Sequence, residues 1–470
     1  MIMRFGVVLK ECLNSSNSSV RNFSEVTGLN RGWVYNIFNG KKPLPQEKFN
    51  KMLSTYPFTA NQKKSLRDSY YSDMYGVDNF KKIQYIIQSF NNLSNDNFNT
   101  IFPHFKKKYT LQNKCLNNTE SILDAIIFLL DKSSNKKNSF VYTNFSYAQV
   151  EITDIFRSFL TNTQNINFYH LVNFDTMSFD IHNLRNIFCS IQYASLGYTT
   201  YYHYNNFGTP LQIDNIFPFF IITNTGVLVY DNSTQEGLIL TDPSIIDSFV
   251  TKAKLLFSKA NQLVTFNQDI TSLNEQLKMD HFYDDNLIDI SYYPHINYFM
   301  DEKSIIEIIS DFKNQKQLDY TISNCLEPFM KSHEKTFLLH LDGLRDFIQK
   351  KYSPLLSKIL RNSFPKSMVQ KILNEIVKEY TTNKNIYFID DKIIRFPQYI
   401  DVTVNSTSLL ISGLLKNNTS ESFKYYNIYL DNALLARDFK LFKEFVIQNQ
   451  YYYNETYTIH FLNNLQVSLD

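Results

Sequence analysis

The sequence predicts a multidomain α + α/β chain, in which an N-terminal five-helix helix-turn-helix domain is followed by a large mixed α/β region. Three observations carry this expectation. The chain has 470 residues, and domains of about 100–200 residues imply two or three of them. Apolar residues recur at helical spacing between short polar turns through the first 76 residues. From residue 140 onward, runs of strand length alternate with longer amphipathic runs, the pattern of a layered α/β fold.

In the first helix Phe5, Val8, Leu9 and Cys12 share one face, which would pack behind the helices that follow. The segment 19–45, SVRNFSEVTGLNRGWVYNIFNGKKPLP, then organises the domain. Val20, Phe23 and Thr27 lie on one side of a short helix, and Gly28 stands where the chain turns sharply and positive φ is wanted. Leu29 plugs the corner and Asn30 is a good N-cap. Val34, Ile37 and Phe38 point inward from the second helix, leaving Arg31, Trp33, Tyr35 and Asn36 outward or sideways. Gly40 closes that helix as its C′ residue, Lys41 and Lys42 are placed to meet phosphates, and Pro43 and Pro45 prevent helical continuation. Stripes at Phe49, Met52, Leu53 and Tyr56, and at Leu66, Tyr70 and Met74 after a Thr59 cap, complete five helices ending near Gly76.

These residues resemble the Cro and lambda-repressor (XRE) type of helix-turn-helix. The match runs through Ser24, Gly28, Leu29, Asn30, Arg31, Val34, Ile37, Gly40, Lys41, Lys42 and Pro43, and covers roughly the first 75 residues. Two positions depart from it: Val20 replaces a phosphate-binding Gln, and Trp33 is bulky for a groove-facing site. The resemblance implies a DNA-binding domain whose second helix enters the major groove. The DNA-binding candidates are Asn30, Arg31, Trp33, Tyr35, Asn36, Lys41 and Lys42. Arg31 and Asn36 are of the types that read guanine and adenine edges, whereas Trp33 either packs beside the DNA backbone or closes the domain core.

Charge is distributed in keeping with this. The whole chain carries 47 basic and 45 acidic residues. Residues 1–76 hold eleven basic side chains against five acidic ones, a formal +6, which leaves about −4 for the remainder. Cys12, Cys115, Cys189 and Cys325 are far apart, with no paired spacing for a zinc ribbon or a disulfide framework. No run of about 18 apolar residues occurs and no leader is legible, so a cytoplasmic chain without a membrane span is expected. Abundant Asn, Lys, Ile, Tyr and Phe fit an AT-rich bacterial or phage genome.

The expected domains are 1–76, a helical linker region 77–135, an α/β domain 136–262 and a mixed α/β C-terminal domain 263–470. A helix is expected over 80–90, with the polar stretch 91–99 as the inter-domain junction. The Lys106–Lys108 run reads as a solvated face, and 121–130 as a buried helix. Strands are expected at 140–145, 166–172, 217–223, 227–230 and 237–240, with helices at 147–160, 184–193 and, after Asp242-Pro243, to about 259. The run 217–259 looks like the end of a phospholipase D-like half, a resemblance extending over 140–260. That family's His-x-Lys-x4-Asp signature would fall on Phe217, Phe219 and Asn224, so no catalytic residue is expected there and the scaffold would serve dimerisation or ligand sensing.

Beyond 262, strands are expected at 287–292, 337–341, 386–389, 408–415 and 425–429, and helices at 304–312, 368–380 and 432–447. The order of elements in 408–448 echoes 217–259, as a degenerate duplication would. His170, His182, Cys189 and His203 lack paired-ligand spacing, and His333, Glu334 and His340 do not form HExxH, so no metal is expected. The aromatic run Tyr201, Tyr202, His203 and Tyr204 either lines a pocket or is packed. Gly40-Lys41 lacks the upstream glycine and hydroxyl of a phosphate loop, and no cofactor is expected.

Together these features point to a sequence-specific DNA-binding transcriptional regulator and not to an enzyme. Its expected partners are double-stranded DNA and a second copy of itself, because one such motif buries too little surface and paired half-sites lie about 34 Å apart. The C-terminal region would dimerise, sense a small ligand or contact a protein. The competing expectations are an enzyme with an unrecognised α/β active site targeted by the first domain, and a non-catalytic adaptor or defence protein.

Overall fold

A computed structural model describes residues 5–94, 113–134, 136, 138–163, 166–176, 180–204, 217–267, 287–300, 335–351, 364–414 and 425–469. Among them are fourteen α-helices and two mixed sheets, a multidomain α + α/β architecture with the helical region first. The Lys106–Lys108 run and the helix expected over 304–312 lie outside the described residues.

The helical region consists of α1 (Phe5–Ser15), α2 (Val20–Thr27), α3 (Arg31–Phe38), α4 (Gln46–Thr55) and α5 (Ala60–Tyr75). Local chemistry sets its boundaries. Ser19 caps α2 by accepting from Asn22 N, and Thr59 and Gln62 form a reciprocal capping box at the start of α5. The core centres on Phe49 and Tyr70, stacked at 3.8 Å, with Phe5 edge-on to both. Phe38, expected inward, is only half-buried at the end of α3.

Helix α6 (Val77–Ser94) starts directly after Gly76, whose φ of +80° is the break between two helices. It runs four residues past the expected end. Residues 91–94, read as the start of a junction, are its last turn because Leu93 is buried and Asn91 and Ser94 bond to the main chain of Ile393 and Arg395.

The first sheet contains β1 (Lys114–Leu116), β2 (Phe140–Thr143), β3 (Asn167–Phe174), β4 (Thr199–Tyr204), β5 (Phe219–Thr223), β6 (Val227–Tyr230), β7 (Gly237–Leu240) and β8 (Asn261–Gln262). Their order is β1-β7-β6-β5-β2-β3-β4-β8. Helices α7 (Thr119–Ser134), α8 (Val150–Asn162), α9 (His182–Ser195) and α10 (Pro243–Lys259) cover it. At Leu263 the chain passes into the second sheet. That sheet contains β9 (Val264–Asn267), β10 (Leu287–Ser291), β11 (Lys335–Leu339), β12 (Ile386–Phe388), β13 (Ile400–Val404), β14 (Ser408–Leu414) and β15 (Tyr425–Asp431), in the order β12-β11-β10-β13-β14-β15-β9. Helices α11 (Leu341–Lys350), α12 (Lys366–Thr382), α13 (Ala433–Gln448) and α14 (Glu455–Leu469) accompany it.

The two sheets repeat one plan. In the first, β4, β3 and β2 run parallel and β5, β6 and β7 return antiparallel; in the second, β12, β11 and β10 run parallel and β13, β14 and β15 return antiparallel. Each series ends in a long helix, α10 or α13. The echo between 217–259 and 408–448 thus corresponds to β6, β7 and α10 against β14, β15 and α13.

Each half also buries a polar cluster near the end of its first parallel strand. In the first half Tyr147 OH lies 2.9 Å from His170 Nδ1, and His170 Nε2 lies 3.0 Å from the Phe145 carbonyl. The carbonyl can only accept, so Nε2 carries the proton and Nδ1 accepts from the tyrosine. Burial lowers the His170 pKa to about 4, keeping the ring neutral. In the second half His295 lies 2.9 Å from Asp289 and 3.4 Å from Asp401. Burial opposes its charge, but the two carboxylates outweigh that and raise its pKa well above the ordinary value.

The helical region is docked on the second half. Tyr71, Tyr75 and Phe80 surround Phe445 of α13 with ring centroids 5.1, 5.4 and 6.1 Å away. Tyr75 OH donates to Gln448 at 2.6 Å, and Gln46 Nε2 donates to Asn449 at 2.6 Å. Beneath them, Lys82 of α6 and Asp438 of α13 form an ion pair of 3.0 Å at 2% and 3% exposure.

Candidate nucleic-acid interface

The turn between α2 and α3 is fixed by three residues. Gly28 has φ +71° and ψ +11°, the left-handed conformation, and donates to Ser24 O. Leu29 is buried, and Asn30 Oδ1 accepts from Gly32 N at 2.8 Å to cap α3. Val34 and Ile37 fill the inner face of α3. At its other end Gly40 has φ +64°, Gly40 N bonds to Ile37 O and Lys41 N to Asn36 O. This is a Schellman closure, and it turns Lys41 and Lys42 outward immediately after the helix.

Helix α1 lies against the back of α3 so closely that a Cβ built on Gly6 would stand 2.0 Å from the Ile37 carbonyl oxygen. No pattern marks this requirement, because a glycine inside an amphipathic helix is ordinarily only a weak spot. Here it sets how far α3 projects.

Asn30, Arg31, Tyr35, Lys41 and Lys42 are exposed and Asn36 is half-buried. Tyr35 is 54% exposed, with the Phe38 ring edge-on at 6.1 Å. Arg31 lies 3.6 Å from Glu25, which also takes Arg21 at 3.0 Å. All three side chains are well exposed, so this network holds Arg31 by roughly 1 kcal/mol or less and a phosphate or base can displace Glu25.

Trp33 differs from the other candidates. Its ring packs against the core, and the Lys48 ammonium sits 3.7 Å above the ring centroid. Its indole nitrogen is buried without a hydrogen-bond partner among the described residues. The geometry therefore joins α3 to α4 through Trp33 and leaves Tyr35 as the projecting aromatic. Lys48 and Lys51, the latter with its ammonium beside Gly28, add positive charge next to the motif. Their spacing from α3 depends on the fold of α4 and was not legible in the sequence.

Of the other residues weighed at the sequence level, His333 and Glu334 lie outside the described residues, while several on the first sheet and its helices have structural partners. His182 Nε2 lies 2.9 Å from Asn173 O, and Cys189 is pushed up to about 12 by burial. Tyr201 to Tyr204 form β4, with Tyr202 and Tyr204 edge-on to each other and Tyr204 OH donating to the Asp431 carbonyl. Phe219 begins β5, and Asn224 caps the neighbouring strand by accepting from Phe140 N at 2.9 Å. No described helix is long and apolar enough to cross a membrane.

No protein-family model matches the chain, and no curated protein matches it. Among solved structures, the chain is similar to TrmBL2, an archaeal chromatin protein described as showing a novel mode of DNA binding. The identity is 11%, the alignment covers 50% of this chain and 83% of that one, and the TM-score is 0.25. A second similarity is to phosphatidylserine synthase of Haemophilus influenzae, at 11% identity over 76% of this chain and 89% of that one, with a TM-score of 0.22. Likenesses of this size carry no argument about fold or function.

Proposed function

We propose that this chain is a sequence-specific DNA-binding transcriptional regulator, with α3 of an XRE-type helix-turn-helix reading a half-site and a homodimer engaging two. The observation that carries the reading is the outer face of α3. It keeps Arg31, Tyr35, Lys41 and Lys42 exposed even though the same domain is docked on α13 through α4, α5 and α6. A face left open on a docked domain, with a formal +6 within the first 76 residues, suits a polyanion.

The contacts divide by chemistry. Arg31 and Asn36 are assigned to base edges, Lys41 and Lys42 to phosphates, and Asn30 and Trp33 to positioning α3. Arg31→Ala and Asn36→Ala are expected to cost about 1–3 kcal/mol at particular base pairs, while Lys42→Ala weakens all duplexes alike and lowers the salt slope by about 1. Competition binding against a library of single-base variants reads both effects. Uniform losses from all three variants would remove the base-reading assignment.

No catalytic role is proposed for the α/β region. With Phe217, Phe219 and Asn224 in the places of the phospholipase D signature, no nucleophilic imidazole or phosphate-binding ammonium stands there.

A further inference from the structure

A cavity of about 430 Å³ opens where the three parallel strands of the second sheet end. Tyr292 follows β10, His340 follows β11 and Asp391 lies just beyond β12. The segment 395–400, leading into β13, closes one side, and the last turn of α6 closes another. Ligand sites in α/β sheets gather at the carboxyl ends of strands, and this volume lies within the 300–1,000 Å³ common for small molecules.

His340 is the feature that asks for a ligand. It is 5% exposed and lines the cavity, yet among the described residues neither ring nitrogen has a hydrogen-bond partner. The ring stacks on Tyr292 at 5.2 Å and 25°, and it meets Phe396 edge-on at 6.2 Å. Burial lowers its pKa, against the pull of Asp391, Asp342 and the Ile394 main chain, whose contact falls short of hydrogen-bond geometry. The neutral imidazole then offers one donor and one acceptor, on nitrogens that point away from each other, and leaving both unmet in a buried site costs about 1–3 kcal/mol each.

The rest of the lining narrows the chemistry. Tyr292, Phe396 and Tyr399 supply aromatic surface, and Gln398 Nε2 lies 3.5 Å from Tyr292 OH. Asp342 is paired with Arg345 at 2.8 Å and Asp391 accepts from Tyr453 OH, with Arg395 the remaining charge on the wall, so a phosphorylated ligand meets no net attraction to offset its desolvation. We infer that this cavity binds an uncharged planar heterocycle of the nucleoside class, stacked among the aromatic rings with a polar group of its edge on a His340 nitrogen. The inference goes beyond the DNA-binding reading and does not depend on it.

The test is calorimetric titration of the full chain with adenosine, guanosine, cytidine and uridine, each paired with its 5′-monophosphate. Saturable binding of at least one nucleoside is expected, with the monophosphate weaker. His340→Phe should lower that affinity about tenfold or more while leaving the melting temperature unchanged or raised, because it removes unmet polar atoms from a buried site. Gln398→Ala, at the rim, is the second variant and should weaken binding if His340→Phe fails to fold. No binding of any nucleoside, tighter binding of the monophosphates, or affinity undiminished in the folded variants would overturn the inference.

Discussion

Lys82→Met is expected to destabilise the folded chain by about 3–5 kcal/mol, because it strands a carboxylate in the joint between α6 and α13. Asp438 is 3% exposed at its side chain, and Arg437, at 3.8 Å, is a poor substitute for the lysine at 3.0 Å. Burial already raises the Asp438 pKa, and Lys82 is the main influence holding it down. Without the lysine the carboxyl rises further. A carboxyl whose folded pKa is raised is disfavoured in the folded state only once it ionises, so the variant's deficit should grow with rising pH and shrink in acid.

Urea unfolding of the wild type, Lys82→Met and the double variant Lys82→Met/Asp438→Leu at neutral and acidic pH checks this. The double variant should recover most of the loss, since a well-packed apolar pair replaces a buried ion pair at little cost. A single-variant loss below about 1 kcal/mol, the range of an exposed pair, would contradict the account.

Gly6→Ala has the second largest expected effect, and its sign reverses the usual rule. Inside a helix, alanine is ordinarily better than glycine by about 1 kcal/mol. Here the new Cβ would stand 2.0 Å from Ile37 O and 2.9 Å from Phe38 Cα, both main-chain atoms that cannot rotate aside. Helix α1 must shift away from α3, opening the core around Phe5 and Val34. A net loss of about 1–3 kcal/mol or more is expected, with faster amide exchange in α1 and α3 and a weaker affinity for DNA. A variant more stable than the wild type would show that the two helices are not in main-chain contact.

Much of the helical region was legible because its punctuation is local. Gly28, Asn30, Gly40 and Thr59 each act on atoms within a few residues, so spacing alone reveals them. The strands found in the sequence, such as Val227–Tyr230 and Gly237–Leu240, are apolar runs bounded by turns. Those missed have other patterns. β13 alternates Asp401 and Thr403 with valine and isoleucine, and its carboxylate is buried because His295 lies opposite. β4 reads as an aromatic cluster until β3 and β8 pair with it, and β1 has three residues. Helix α14 carries only a weak apolar stripe, and α11 has no side-chain cap.

The candidate interface was legible to the extent that it lies on one helix. Trp33 depends on Lys48, and the reach of α3 depends on Gly6, relations set by packing between helices. The cavity was not legible at all. Tyr292, His340 and Asp391 come together only because three strands far apart in the chain lie parallel and end at the same edge.

The central claim is that the exposed face of α3 binds DNA and distinguishes sequences. The measurement that tests it most directly is footprinting of the full chain on the DNA upstream of its own gene, at two salt concentrations, against an unrelated duplex. The account predicts a bounded footprint with two half-sites about 34 Å apart, affinity that falls as salt rises, and loss of the footprint in a Lys41→Glu/Lys42→Glu variant that remains folded. Equal affinity for the unrelated duplex, or a footprint unchanged by that variant, would contradict it.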